Sequence, residues 1–191
     1  HLRTRRQRQM CIRDSQDRCV VAVDWSSYAG KRRQPPWYLL ATALLAENGI
    51  DIVMHGARGH TEGRVYSEDV LRHFGATIAS SPNEVAEALQ AEHFAFVPLA
   101  SLCPPLAKLI ELRPLFGLRS PVHTLCRLIN PFAASLSLQS VFHPAYIDTH
   151  HRAAMLLGEK NTVVFKGESG EVEYRPQARV DVKSIVDGEE Q

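Results

Sequence analysis

Ile50-Asp51-Ile52-Val53-Met54 runs directly into His55-Gly56-Ala57-Arg58. A short apolar, β-branched run that opens onto a glycine reads as a buried strand, with an imidazole and a guanidinium carried by the loop at its carboxyl end. Upstream, the stretch from Trp37 to Glu47 reads as a helix ended by Asn48-Gly49, where glycine can take the left-handed conformation that stops a helix. Before it, Cys19 to Asp24 (CVVAVD) reads as a second buried strand. Strand, helix and strand joined without a hairpin turn call for a crossover, so the sheet is expected to be at least partly parallel. Ligand groups then belong in the loops at the carboxyl ends of the strands.

The same alternation continues towards the C-terminus. Glu68 to Phe74 is expected to be a helix stopped by Gly75, and Asn83 to Glu92 another, opened by Ser81-Pro82 with Glu84 three residues after the serine. Phe94 to Val97 is a short strand, Pro105 to Leu112 a helix, and Ser120-Pro121 starts a helix through Leu128 by the same cap-and-proline logic. Ser137 to Phe142, Pro144 to Leu157 and Thr162 to Lys166 complete a further strand, helix and strand. A last strand is expected at Val172 to Arg175, with no clear element beyond it. The class is α/β, a sheet flanked by helices.

With 191 residues, 45% of them hydrophobic and 23% charged, the chain can bury one ordinary core. No apolar run approaches the roughly 18 residues that span a bilayer, so no membrane association and a cytoplasmic location are expected. Cys11, Cys19, Cys103 and Cys126 are scattered without metal-ligand spacing and read as small hydrophobes. Met10-Cys11-Ile12-Arg13-Asp14-Ser15 resembles the translation of a sequencing-library adapter, so residues 1–15 are set apart as a technical scar, against a natural basic arm as the alternative. Removing their five arginines and one acid from the 22 basic and 21 acidic residues leaves 17 and 20, a net charge of −3. Overall charge therefore makes no case for a nucleic-acid partner.

Three segments resemble one family in order and spacing. Met54-His55-Gly56-Ala57-Arg58 is similar to the Lys-His-Gly-Asn-Arg segment of anthranilate phosphoribosyltransferases, and Ser67-Glu68-Asp69-Val70-Leu71 with Gly75 to their Ser-Ala-Asp-Val-Leu helix. Gly117-Leu118-Arg119-Ser120, running into Leu128-Ile129-Asn130-Pro131, is similar to their Gly-x-Arg-Thr segment and its Asn-Pro end. The resemblance covers roughly Cys19 to Tyr174. It implies a nucleoside phosphorylase/phosphoribosyltransferase-like sheet over residues 16–191, with the family's N-terminal helical domain, which supplies a homodimer contact, missing from a piece truncated at both ends. His-Gly-x-Arg-Gly-His, Arg-Ser-Pro-Val-His-Thr and Lys-Gly-Glu-x-Gly-Glu further resemble the YbiB-type branch of the family, regarded as nucleic-acid binding.

Against the family pattern, the donor side is altered. The Gly-Thr-Gly-Gly-Asp pyrophosphate loop corresponds to Trp25 to Arg33, where Gly30 alone permits close backbone approach, and the Asn-x-Ser-Thr helix start falls on Pro36-Trp37-Tyr38-Leu39. The family's lysine and asparagine become Met54 and Ala57, and its Asp-Glu metal pair falls on Val172-Glu173, leaving Glu171 and Glu173 as candidate metal ligands. His55, Gly56, Arg58, Ser67, Arg119 and His123 are the pocket candidates. Ser67 matches the family's metal-phosphate serine and Arg119 its anthranilate-carboxylate arginine; on the residues alone, Gly56 reads as a turn glycine and His123 as pocket or packing. His150 and His151 read as surface histidines. No catalytic residue is assigned.

Lys31, Arg32 and Arg33 stand between Tyr28 and Trp37, and with Arg58 they form the candidate nucleic-acid contact, since clustered cations attract phosphates and aromatic rings stack bases. The expected function is a phosphoribosyltransferase-like scaffold binding single-stranded DNA or RNA. The alternatives are a transferase acting on an anthranilate-like or nucleotide-like substrate, and a structural paralogue. No cofactor is expected, with magnesium required only if the chain is a transferase.

Overall fold

The computed structural model describes residues 20–117 and 121–191. A seven-stranded sheet has the order β3-β2-β1-β4-β5-β6-β7. The strands are β1 (Val23–Ser27), β2 (Ile52–Gly56), β3 (Phe94–Pro98), β4 (Leu136–Val141), β5 (Thr162–Lys166), β6 (Val182–Val186) and β7 (Glu189–Glu190). The first five are parallel; β6 joins β5 antiparallel, and β7 joins β6 antiparallel. From β1 the chain moves outward to β2 and β3, then returns to place β4 on the other side of β1. The switch point, where a crevice forms at the strand ends, therefore lies between β1 and β4.

Both faces of the central strands are covered, which is why they read as nearly continuous apolar runs. Val53, Ala95 and Val97 face a cluster with Val85, Ala88 and Leu89 of helix α3 (Pro82–Glu92). Ile52, Met54 and Phe96 face the opposite cluster with Trp25 and Tyr38, the latter at the start of helix α1 (Tyr38–Glu47). Helix α2 (Ser67–His73) follows the loop after β2, while α4 (Leu99–Leu102), α5 (Pro104–Glu111), α6 (Arg113–Phe116) and α7 (Val122–Leu125) cross back towards β4. Helix α8 (Ile147–Leu157) then links β4 to β5.

Several expectations need correction. The first strand is displaced towards the C-terminus, onto Val23–Ser27, because its serines are held internally; Ser26 Oγ donates to the Leu138 carbonyl at 3.2 Å. The helix expected through Leu128 has only its Val122–Leu125 turn, followed by a 3-10 turn at Cys126–Leu128. Val172 to Arg175 is not a strand: Val172 turns into the Trp25–Tyr38 cluster instead of pairing. The final strands lie later, joined by Asp187-Gly188 with φ of 53° and 90°, the left-handed geometry of a tight hairpin. His150 and His151 are both buried, contrary to the surface reading. Helix α8 is covered on two sides, so His150 meets the Gln139 amide at 3.1 Å while His151 meets the Ser184 carbonyl at 3.2 Å. Cys126 is buried as expected and Cys103 half-buried; Cys11, Cys19, residues 1–15 and Arg119 lie outside the described residues.

Candidate functional site

The loop leaving β1 carries the chemistry, and it is pinned at both ends. Lys31 and Val65 exchange backbone hydrogen bonds at 2.8 Å, which ties this loop to the one after β2. The Arg64 guanidinium donates to the carbonyls of Ala29 and Gly30 at 3.0 and 2.8 Å, bracing the same turn from outside. Gly30 has a φ of 67°, and a Cβ there would press on the Tyr66 ring at 2.9 Å, so glycine is required for conformation and for space.

The N–H groups this turn presents are taken by the chain itself. Glu171 is fully buried, and its Oε1 accepts from the amides of Ala29 and Gly30, both at 2.6 Å. A carboxylate on two converging backbone amides occupies the arrangement that would otherwise cradle a phosphate oxygen. Burial pushes the Glu171 carboxyl above its ordinary range, while the Gly30 amide, the Arg127 guanidinium and the Ala29 amide oppose that rise.

Tyr28 fills the next space. Its ring is wholly buried against Leu99, Ala107, Ile110 and Cys126, and its hydroxyl lies 2.6 Å from His55 Nδ1. His55 Nε2 faces the Asp24 carboxylate at 3.2 Å. Donation from Nε2 to the carboxylate leaves Nδ1 to accept from the tyrosine, so all three groups are satisfied without a ligand. Burial raises the Tyr28 phenol well above its usual value.

Ser67 is likewise engaged. Its hydroxyl lies 2.7 Å from Ser27 Oγ and 2.6 Å from Tyr38 Oη, and the last two are 3.1 Å apart, a buried triangle of hydroxyls at the carboxyl end of β1. Gly56 ends β2 instead of forming a turn, paired beside Ser27, and a Cβ there would sit 2.2 Å from the Ser27 carbonyl oxygen, so glycine is required for the strands to approach. Arg58 is half-exposed and bound to Asp69 at 3.1 Å and Glu68 at 3.4 Å. His123 is buried and lines a separate cavity with Arg127.

Lys31 does not share a solvent face with Arg32 and Arg33. It is 1% exposed, and its ammonium meets Glu173 Oε1 at 2.8 Å, whereas both arginines are exposed. The Lys31 and Arg58 charges are thus already compensated within the fold. A cleft of about 450 Å³ beside Lys31 is lined by Arg33, Trp37, Tyr174 and Arg175 together with Lys31, Glu168 and Glu173, and the Arg175 guanidinium meets Glu168 at 3.0 Å. Trp37 and Tyr174 are 55% and 64% exposed, leaving ring faces open to a ligand.

These positions do not fit a divalent cation. Glu171 points onto backbone amides, Val172 has no side-chain oxygen to offer, and Glu173 is already neutralised by an ammonium. Among the described residues no group of three histidine, cysteine, aspartate or glutamate side chains gathers to hold a metal. Tyr28, expected beside the cations as an aromatic stacking face, is instead fully buried with its hydroxyl on His55, so Trp37 alone of that pair is open; the role that sequence reasoning missed is that of Glu171 as an internal anion. Nothing in a glutamate-rich stretch distinguishes the one carboxylate that folds inward.

Residues 38–191 match the model of the glycosyl transferase family, a/b domain. The chain is 33% identical over 153 residues to the uncharacterized protein YbiB of Escherichia coli, covering 79% of this chain and 47% of that protein. It is 31% identical over 146 residues to anthranilate phosphoribosyltransferase 1 of Ralstonia nicotianae, covering 76% and 42% respectively. The crystal structure of anthranilate phosphoribosyltransferase from Thermus thermophilus superposes with a TM-score of 0.68 at 24% identity, over 86% of this chain and 49% of that one. The chain spans about half the length of these relatives. It belongs to the glycosyl transferase family through its a/b domain, and is anthranilate phosphoribosyltransferase-like in sequence and fold.

Proposed function

We propose that this domain has lost phosphoribosyl transfer and binds single-stranded DNA or RNA through the cleft beside Arg33. The observation that carries the reading is the meeting of two exposed rings, Trp37 and Tyr174, with the exposed Arg33 in one cleft. Stacking faces with adjacent cations are what sequence-tolerant single-strand binding uses. Supporting it from the other side, Glu171 takes up the Ala29 and Gly30 amides and Lys31 is paired with Glu173, so these groups are not open to a pyrophosphate. The footprint in this reading comprises Arg32, Arg33, Trp37 and Tyr174, with Lys31, Arg58 and Arg175 paired within the framework.

Titrating a labelled oligodeoxythymidine at several salt concentrations tests it. Arg32→Glu with Arg33→Glu is expected to weaken binding and to lower the salt slope by about one for each phosphate that is no longer neutralised. A slope unchanged by both reversals removes the cleft from the interface.

A second reading, transfer of a phosphoribosyl group to an anthranilate-like or nucleotide-like acceptor, is favoured by His55 and Ser67 holding their family positions next to β1. It requires magnesium and an opening of the Glu171 turn. A magnesium-dependent rise in melting temperature with phosphoribosyl pyrophosphate would support it, because a ligand of the native state stabilises that state. The whole protein in either reading is expected to be cytoplasmic and to pair through an N-terminal helical domain.

A further inference from the structure

A second cavity, of about 660 Å³, opens at the carboxyl end of β4 beside the switch point. Four segments build it: the loop after β2 brings Arg64, α7 and the turn after it bring His123 and Arg127, the end of β4 brings Phe142 and His143, and the start of α8 brings His150. Its lining, among the described residues, carries two guanidiniums and three imidazoles and no carboxylate. Glu171 offsets part of the Arg127 charge but does not line the cavity.

Arg127 is 6% exposed, a depth at which an arginine is ordinarily paired. One of its nitrogens donates to the His123 carbonyl at 2.5 Å. Arg64 is held in the same manner by Ala29 and Gly30 through its Nη1. An anchored guanidinium keeps further N–H donors in a fixed plane, a geometry that suits phosphate oxygens two at a time.

The mouth supplies a different chemistry. Phe142, His143 and Tyr146 line it with rings set edge-on and tilted to one another, with centroids 4.8 Å apart at 82° for the first pair and 6.4 Å apart at 53° for the second. Phe142 and Tyr146 are 47% and 50% exposed, and His143 is also exposed. Cations inside, aromatic faces at the rim and a volume within the usual range for small-molecule sites together describe a ligand with an anionic end and a planar end.

We infer that this cavity is a nucleotide site, holding a phosphomonoester on Arg64 and Arg127 and packing the attached base against the exposed Phe142 and Tyr146 rings at its rim. It is separate from the Arg33 cleft and goes beyond the strand-binding reading. The same chemistry is offered by a free nucleoside monophosphate and by the phosphorylated end of a single strand.

Calorimetric titration of the 191-residue chain with AMP tests the site, with adenosine, inorganic phosphate and oligodeoxythymidine with and without a 5′-phosphate as parallel arms. AMP is expected to bind, inorganic phosphate to compete, and adenosine to bind at least tenfold more weakly. Phe142→Ala with Tyr146→Ala, both on the exposed rim, is expected to weaken AMP at least fivefold, while Arg33→Glu leaves it unchanged. Arg127→Met is expected to abolish phosphate competition, and the rim variants keep the test decisive if that buried change unfolds the chain. Displacement of AMP by the 5′-phosphorylated strand alone assigns the site to a strand end, and its failure assigns it to the free nucleotide. Absence of AMP binding at millimolar concentration, or binding that ignores the rim variants, overturns the inference.

Discussion

Glu171 holds a proton more tightly in the folded chain than in the unfolded one, because burial outweighs the amides and the arginine that favour its charge. Its contribution to stability is therefore fully present below the ordinary glutamate range and is lost as pH rises through the raised folded value. Glu171→Gln should remove that loss, so the stability gap between variant and parent should move in favour of the variant between pH 4 and pH 8; urea melts at each pH check this, and a constant gap would refute it. His150 behaves oppositely. Burial, reinforced by Arg127, lowers its pKa to about 4, so its contribution is present above its unfolded value and lost as pH falls from there through about 4. The shift corresponds to something on the order of 3 kcal/mol, and His150→Gln should flatten the acid limb of the stability profile in that window. Neither effect is legible from sequence, where Glu171 is one of several acids and His150 one of two adjacent imidazoles in a helix.

Helix α3 shows what local chemistry can determine by itself. Ser81 Oγ accepts from the Glu84 amide at 3.3 Å, so the serine cap and first-turn proline form as read, while the Glu84 carboxylate accepts from the amide of Ser80 at 2.7 Å, one residue before the N-cap, instead of closing the box on Ser81. Ser81→Ala should cost about 1 kcal/mol, measured as a lowered denaturant midpoint with unchanged slope. The turn after β5 is a contrasting element. A Cβ on Gly167 would lie 1.7 Å from the Glu171 carbonyl oxygen and 2.4 Å from Ser140 Oγ, so Gly167→Ala must displace the backbone that aims Glu171 inward. A loss of about 3 kcal/mol is expected, together with changed amide exchange at Ala29 and Gly30; a variant as stable as the parent would show that the turn can relax. Gly75, with a φ of 75° and nothing within 4 Å, is a helix stop alone, as its place after α2 suggests.

Over the whole molecule, large apolar side chains remain at the surface on several helices. Leu40 and Leu44 of α1 are 65% and 61% exposed, Leu115 of α6 is 81% and Leu156 of α8 is 90% exposed. Apolar area of this kind on more than one side favours association. The 191-residue chain is expected to self-associate as its concentration rises, and a scattering mass that stays at that of one chain across the range would contradict this.

The strand, helix and strand around Ile50 to Met54, the caps at Ser81 and Gly75 and the α/β class could all be read from residues close together in the chain, because periodicity and capping act within a few positions. The closure of the site could not. Tyr28 with His55, Lys31 with Glu173, and Glu171 with the Ala29 and Gly30 amides join residues separated by 27, 142 and up to 142 positions. Whether a loop of this composition cradles a ligand or is filled by its own chain depends on which side chain arrives from the segment after β5, and that is settled only when the sheet brings the carboxyl ends of β1 and β5, with β4 between them, to the same edge.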